Sequence, residues 1–224
     1  MCRRGFNRRL IFTKAGLLIF IRSITPMIVQ ISEPITTLQE QHFALPGNYT
    51  WEQFEALETL IKDAPGLRIT YLDGCVEFMT TGEPHEIYKK MLAILLEAYF
   101  FEKGIKFIPV GNATRSDKTQ DVSFEPDESY YLGEKKTHPD LAIEVTITSG
   151  GIDKLEKYKR LKIAEVWFWE NNQLVLYRLH ENNYEQIYRS EFLPDLDIAL
   201  LVRCVQMSDI LAARTELIES IRQQ

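Results

Sequence analysis

Two carboxylates draw attention by where they fall. Asp127 follows Pro126 at the entry to an apolar stretch, and Glu144 lies 17 residues later inside the run Leu141-Ala142-Ile143-Glu144-Val145. A carboxylate in such a run is costly to bury unless something compensates it. Two adjacent antiparallel strands joined by the charged turn at 133–137 bring carboxylates at this spacing within a few ångströms of each other. Paired acids in a dry sheet repel, and each resists ionising unless a cation sits between them. Oxygen donors without a Cys or His partner suit Mg²⁺ or Mn²⁺, which keep several waters and accept phosphate oxygens. Such an ion polarises a phosphodiester and acidifies a bound water, and a nearby lysine steadies the negative charge that develops. Asp127 also suits a plain turn after Pro126; Glu144, flanked by apolar residues, has fewer alternatives.

The elements that must position this pair alternate between helix and strand. Thr50-Trp51-Glu52-Gln53 has the form of a capping box and opens a helix to about Lys62, stopped by Ala64-Pro65-Gly66. Leu67–Leu72 and Val76–Met79 flank Asp73-Gly74, a hairpin signal. Pro84 begins a second helix whose apolar residues recur at helical spacing to Lys103, with Gly104 ending it. The pattern then predicts strands over 105–110, 129–132, 138–145, 165–169, 174–179 and 184–188, with a polar loop at 112–123. Gly150-Gly151 precedes a helix at 152–161, and an amphipathic helix over 207–222 closes the chain. This describes one α/β domain with antiparallel hairpins beside a central mixed β-sheet flanked by helices.

Composition narrows the class. The chain has 224 residues, 45% hydrophobic and 26% charged, as expected of a globular protein with a full core. Cys2, Cys75 and Cys204 are scattered and odd in number, which argues against a disulfide framework or a Cys-rich zinc site and suits a reducing cytoplasm. Residues 1–26 carry six basic side chains and no acid, leaving 20 basic and 32 acidic residues in the remainder, a charge of −12. The apolar run at 15–21 is too short to span a bilayer, and no A-x-A cleavage site follows it. The expected organisation is a leader at 1–26, disordered or upstream of a true start at Met27, and a single domain at 27–224; a membrane-surface anchor is the other reading of the leader.

At Pro139-Asp140-Leu141-Ala142-Ile143-Glu144-Val145, followed by Asp153-Lys154, Tyr158 and Ile163-Ala164-Glu165-Val166-Trp167, the chain resembles the Uma-two family of restriction endonuclease-like proteins. The likeness extends more loosely to Tyr71-Leu72-Asp73-Gly74, the helix at His85 and Glu125-Pro126-Asp127. It implies a PD-(D/E)XK nuclease-like fold and metal-dependent cleavage of DNA. It also implies Asp127 and Glu144 as catalytic carboxylates and metal ligands, with Asp140 as a further candidate ligand and Glu86, or His85 beside it, as an upstream one. The usual motif lysine two residues after Glu144 is here Thr146, and Lys154 matches the lysine of the family's next helix. On one strand Asp140 and Glu144 lie about 13 Å apart, too far to share an ion.

Two functional classes follow. One is a Mg²⁺- or Mn²⁺-dependent DNA endonuclease, acting as a homodimer through the apolar side of the final hairpins, its backbone contacts drawn from Arg115, Lys118, Lys135 and Lys136. The other is a catalytically degenerate nuclease-fold binding module, favoured by the acidic body and by Thr146. No Ser-His-Asp elbow or phosphate-binding glycine loop supports other hydrolase chemistry. Lys157, Lys159 and Lys162 read as a solvated helix face, His85 as a helix-start residue, and Tyr158, Trp167 and Trp169 as core.

Overall fold

Leu141–Thr146 is buried at every position, so its strand is covered on both faces rather than one. In the computed structural model, which describes residues 40–146 and 154–223, this strand lies inside a six-stranded sheet. The described residues belong to one compact unit. In chain order the elements are β1 (Gln41–Ala44), α1 (Trp51–Ile61), β2 (Leu67–Leu72), β3 (Cys75–Thr80), α2 (Glu83–Lys103), β4 (Phe107–Pro109), β5 (Arg115–Asp117), β6 (Val122–Phe124), β7 (Glu128–Leu132) and β8 (Leu141–Thr146). There follow α3 (Lys154–Arg160), β9 (Glu165–Glu170), β10 (Gln173–His180), β11 (Asn183–Ile187), α4 (Ile198–Val205) and α5 (Ile210–Arg222).

The larger sheet runs β11-β10-β9-β8-β7-β4; only β8 and β9 pair in parallel, with α3 between them in sequence. A smaller antiparallel sheet runs β1-β3-β2-β6-β5. This is a mixed α/β core with added antiparallel hairpins, as the sequence pattern predicts, and it is consistent with the restriction-endonuclease-like fold that the resemblance implies. Alternation within the large sheet assigns its two faces. Ile143, Val145, Trp167 and Trp169 pack against α2, α4 and α5, whereas Ala142, Val166 and Phe168 pack against α3 and β6. Glu144 and Thr146 share the phase of Ala142, and so project on the side of α3 and the smaller sheet.

Local chemistry fixes the ends of these elements. The Thr50 side chain accepts from Gln53 N while Gln53 Oε1 accepts from Thr50 N, completing the capping box that starts α1. Asp73 and Gly74 have φ of 47° and 83°, as a tight hairpin turn requires. A Cβ at Gly74 would also fall 1.7 Å from Oδ1 of the exposed Asn48, which would have to swing aside, so the positive φ is what favours glycine there.

Three expectations need correction. The polar loop at 112–123 holds β5 and the start of β6, three-residue strands too short to show alternation. The closing helix is shorter and preceded by a second one, because Asp197 and Asp209 each cap a new start through their side chains. The strand expected over 105–110 is trimmed to β4. The expected leader at 1–26 and the expected break at Gly150-Gly151 lie outside the described residues. Among the described residues no helix is long and apolar enough to cross a membrane.

One polar residue organises the far end of the sheet. Glu165, 0% exposed at the start of β9, accepts from Trp167 Nε1 at 3.0 Å, Ser190 Oγ at 2.8 Å and Glu191 N at 2.8 Å. Replacing it with alanine strands these donors in a dry interior, which typically costs about 3 kcal/mol. We therefore expect Glu165→Ala to lose roughly that much stability in urea denaturation; a loss below about 1 kcal/mol would mean the node is replaceable by water.

Candidate active site

The β7–β8 register pairs Glu128 with Ile143, which sets Asp127 across from Glu144 just before β7 begins. Val145 N donates to Asp127 Oδ2 at 2.8 Å, tying the aspartate to the strand that carries Glu144. Asp127 is 1% exposed and has two further partners. Arg68, on β2 of the smaller sheet, places Nη1 2.5 Å from Oδ1, and His85, in the first turn of α2, places Nε2 3.1 Å from Oδ2. Burial pushes the Asp127 carboxyl up, but the His85 hydrogen bond and charge, Arg68 and the Val145 N–H together hold it well below the usual carboxylate range. His85 responds in reverse: burial lowers its pKa, and Asp127 more than offsets this, leaving it raised.

Glu144 is compensated from α3. Lys157 Nζ lies 2.7 Å from Glu144 Oε1, and the Tyr158 hydroxyl donates a short hydrogen bond to the same oxygen. Burial, then the Glu144 charge, pushes the Tyr158 phenol well above its ordinary range, so it stays protonated and can only donate to the carboxylate. The Lys157 ammonium also sits 4.8 Å from the centre of the Phe124 ring, which helps hold a cation in a partly dry place. One turn earlier, Lys154 Nζ donates to Thr146 Oγ1 at 2.7 Å. Its ammonium thus reaches the side chain that occupies the position of the motif lysine, on the strand face shared with Glu144.

These groups meet at a cavity of about 30 Å³, lined among others by Arg68, Glu125, Glu144, Lys154, Lys157 and His42. Glu144 and Lys154 therefore line one cavity directly, and Asp127 joins it through Arg68. On the smaller sheet, His42 lies 2.8 Å from Glu40 and 3.4 Å from Glu77. Hydrogen bonds to Glu40 and then Glu77 raise its pKa to about 9, so it is an imidazolium at neutral pH.

The remaining candidates fall elsewhere or are differently engaged. Glu86 pairs with Lys89 at 2.5 Å and lies 3.8 Å from Arg68, at the edge of the network. Asp140 sits at the opposite end of β8, accepting from Leu132 N at 2.9 Å and pairing with Lys136 at 2.5 Å, where it pins the β7–β8 turn. Of the expected basic patch, Lys136 is thereby engaged, Lys118 pairs with Glu52 at 2.9 Å and Arg115 donates to the Tyr131 hydroxyl at 3.3 Å. Lys157 is the clearest correction: it is 9% exposed and holds Glu144, whereas sequence spacing places it on a solvated face. His85 and Tyr158 are likewise more than a helix start and a core ring. Arg68 went unnoticed, although a signal existed: Ile69 and Tyr71 point into the α1 core, so alternation turns Arg68 and Thr70 to the other face.

Asp127 and Glu144 are hard oxygen donors side by side, which fits Mg²⁺ or Mn²⁺ by donor chemistry. Among the described residues no three His, Cys, Asp or Glu side chains gather as a metal cluster. Mg²⁺ needs no such cage, since one or two carboxylates suffice when waters and phosphate oxygens complete its shell. An ion here competes with Arg68 and Lys157 for the same carboxylates.

The α/β core is consistent with the restriction-endonuclease-like class of folds. The family model Uma2, described as "Putative restriction endonuclease", matches residues 51–209, and the chain belongs to that family. No curated protein matches the sequence.

Two measurements check the electrostatics. Arg68→Met leaves Asp127 buried without its guanidinium counter-charge, and we expect a loss of about 3–5 kcal/mol in urea denaturation. An unchanged midpoint would remove Arg68 as the counter-ion. His42 binds its proton more tightly folded than unfolded, so its stabilisation is complete below pH 6.5 and is lost as pH rises through about 9. After allowance for solvent screening this amounts to about 1 kcal/mol, and His42→Gln should flatten the pH–stability profile over that window.

Proposed function

We propose that this nuclease-family protein is a divalent-metal-dependent endonuclease that hydrolyses phosphodiester bonds in DNA, with Asp127 and Glu144 as metal ligands and Lys154 as the catalytic lysine. The observation that carries this reading is the Lys154 ammonium at 2.7 Å from Thr146 Oγ1, two positions along β8 from Glu144 and in the cavity that Glu144 lines. On this reading a lysine of α3 stands in for the one that the motif places on the strand. When bound, Mg²⁺ or Mn²⁺ supplies Lewis-acid polarisation of the phosphoryl group and an acidified water. Arg68, His85 and Val145 N keep Asp127 ionised at neutral pH. Tyr158 holds Glu144 in one orientation through Oε1. Lys154 offers a positive charge to phosphoryl oxygens as they gain electron density. Cys75 and Cys204 are free thiols, in keeping with a proposed cytoplasmic setting.

One observation favours a degenerate binding module instead. Among the described residues, Arg68 and Lys157 already neutralise the two carboxylates, and Lys118 and Lys136 of the expected basic patch are paired with acids, which weakens that patch as a contact for DNA. Supercoiled plasmid separates the two readings. We expect nicking with Mg²⁺ or Mn²⁺, abolished by chelator, and reduced at least ~100-fold in Glu144→Gln and Lys154→Met. Folded protein that nicks with neither metal would leave the binding module as the better account.

A further inference from the structure

The outward face of α2 carries the wrong residues for a solvated helix. Its inward residues Leu92, Leu95, Leu96, Tyr99 and Phe100 are buried in the main core. The opposite face exposes Ile87 (53%), Ile94 (43%) and Phe101 (75%), spaced seven apart. Seven residues are nearly two turns, so the three fall in one line along about 21 Å of helix. Met91 and Ala98 lie beside that line, and Lys90 and Glu97 border it on a single flank. Scattered exposed apolar residues need no explanation, but an aligned set at heptad spacing is the pattern of a helix–helix seam.

We propose that this stripe is a homodimer interface in which α2 packs antiparallel against α2 of a second copy, about a two-fold axis at Ile94. The charge pattern selects this occupant. A two-fold through Ile94 sets Ile87 against the partner's Phe101 and Ile94 against the partner's Ile94. It keeps the Lys90–Glu97 flank of both helices on the same side, so Lys90 meets the partner's Glu97, and the reverse pair forms by symmetry. A parallel two-fold would put the two Lys90–Glu97 flanks on opposite sides of the seam, and neither pair would form. Antiparallel helices also oppose their macrodipoles favourably. Lys90 has a 65% exposed side chain with Glu128 at 3.5 Å, and Glu97 accepts from the Tyr130 hydroxyl at 3.4 Å, so both ends are positioned before association. A single helix pair buries less than a standard interface, which implies a dimer of micromolar strength. This surface is separate from the carboxylate cavity and does not depend on the nuclease reading.

Sedimentation equilibrium of the full chain over a wide concentration range tests the interface directly. We expect a reversible monomer–dimer equilibrium. Ile94→Glu puts two like charges on the axis and should weaken association at least ~10-fold with an unchanged circular dichroism spectrum. Lys90→Glu and Glu97→Lys should each weaken it severalfold, and the double variant should recover most of the loss, an outcome that a folding defect would not produce. A monomer of 26.1 kDa at every concentration overturns the proposal. A dimer indifferent to Ile94→Glu, or a double variant no better than its parents, does so equally.

Discussion

Asp127 is where three pieces of the protein are tied together. Its carboxylate is almost wholly removed from water, and a charge in that position is untenable without donors on several sides. They come from β2 through Arg68, from the first turn of α2 through His85, and from β8 through Val145 N. The smaller sheet, the long helix and the central strand are therefore held in register by one ionised side chain. None of these contacts survives a shift of β2 or α2 by a residue, because alternation or helical rotation would carry the donor away.

The same constraint explains the crowding of charge around the cavity. Once Asp127 is ionised and Glu144 lies across from it, their mutual repulsion must be offset within a few ångströms. Arg68 and Lys157 do so from opposite directions, one from the smaller sheet and one from α3. Tyr158 adds an uncharged donor that cannot ionise beside Glu144. The arrangement stabilises the folded chain without an ion, and it sets the competition that any ion entering the site must win.

Helix α2 serves two surfaces at once. Its first turn delivers His85 inward to Asp127 and leaves Glu86 at the margin of the network, while its later turns fill the main core with Leu92, Leu95, Leu96 and Phe100. Its outer line of Ile87, Ile94 and Phe101 is left exposed. A helix apolar on most of its circumference is ordinarily buried on most of it.

Much of this was legible in the sequence. The capping box at Thr50, the glycine stop at Gly104, the Asp73-Gly74 turn and the apolar run around Glu144 each follow from local stereochemistry or periodicity, which depend only on neighbouring residues. Family membership was also readable from motif order. What the sequence could not decide is which cation answers which carboxylate. Arg68 lies 59 residues from Asp127 in the chain, and β2 meets it only because two sheets are apposed. Lys154 and Lys157 are three residues apart on one short helix, yet one reaches Thr146 and the other Glu144, a distinction set by how α3 packs across β8. Local pattern determines which residues face inward; the partners that neutralise a buried charge are chosen by the tertiary packing, because electrostatic compensation depends on distance in space and not along the chain.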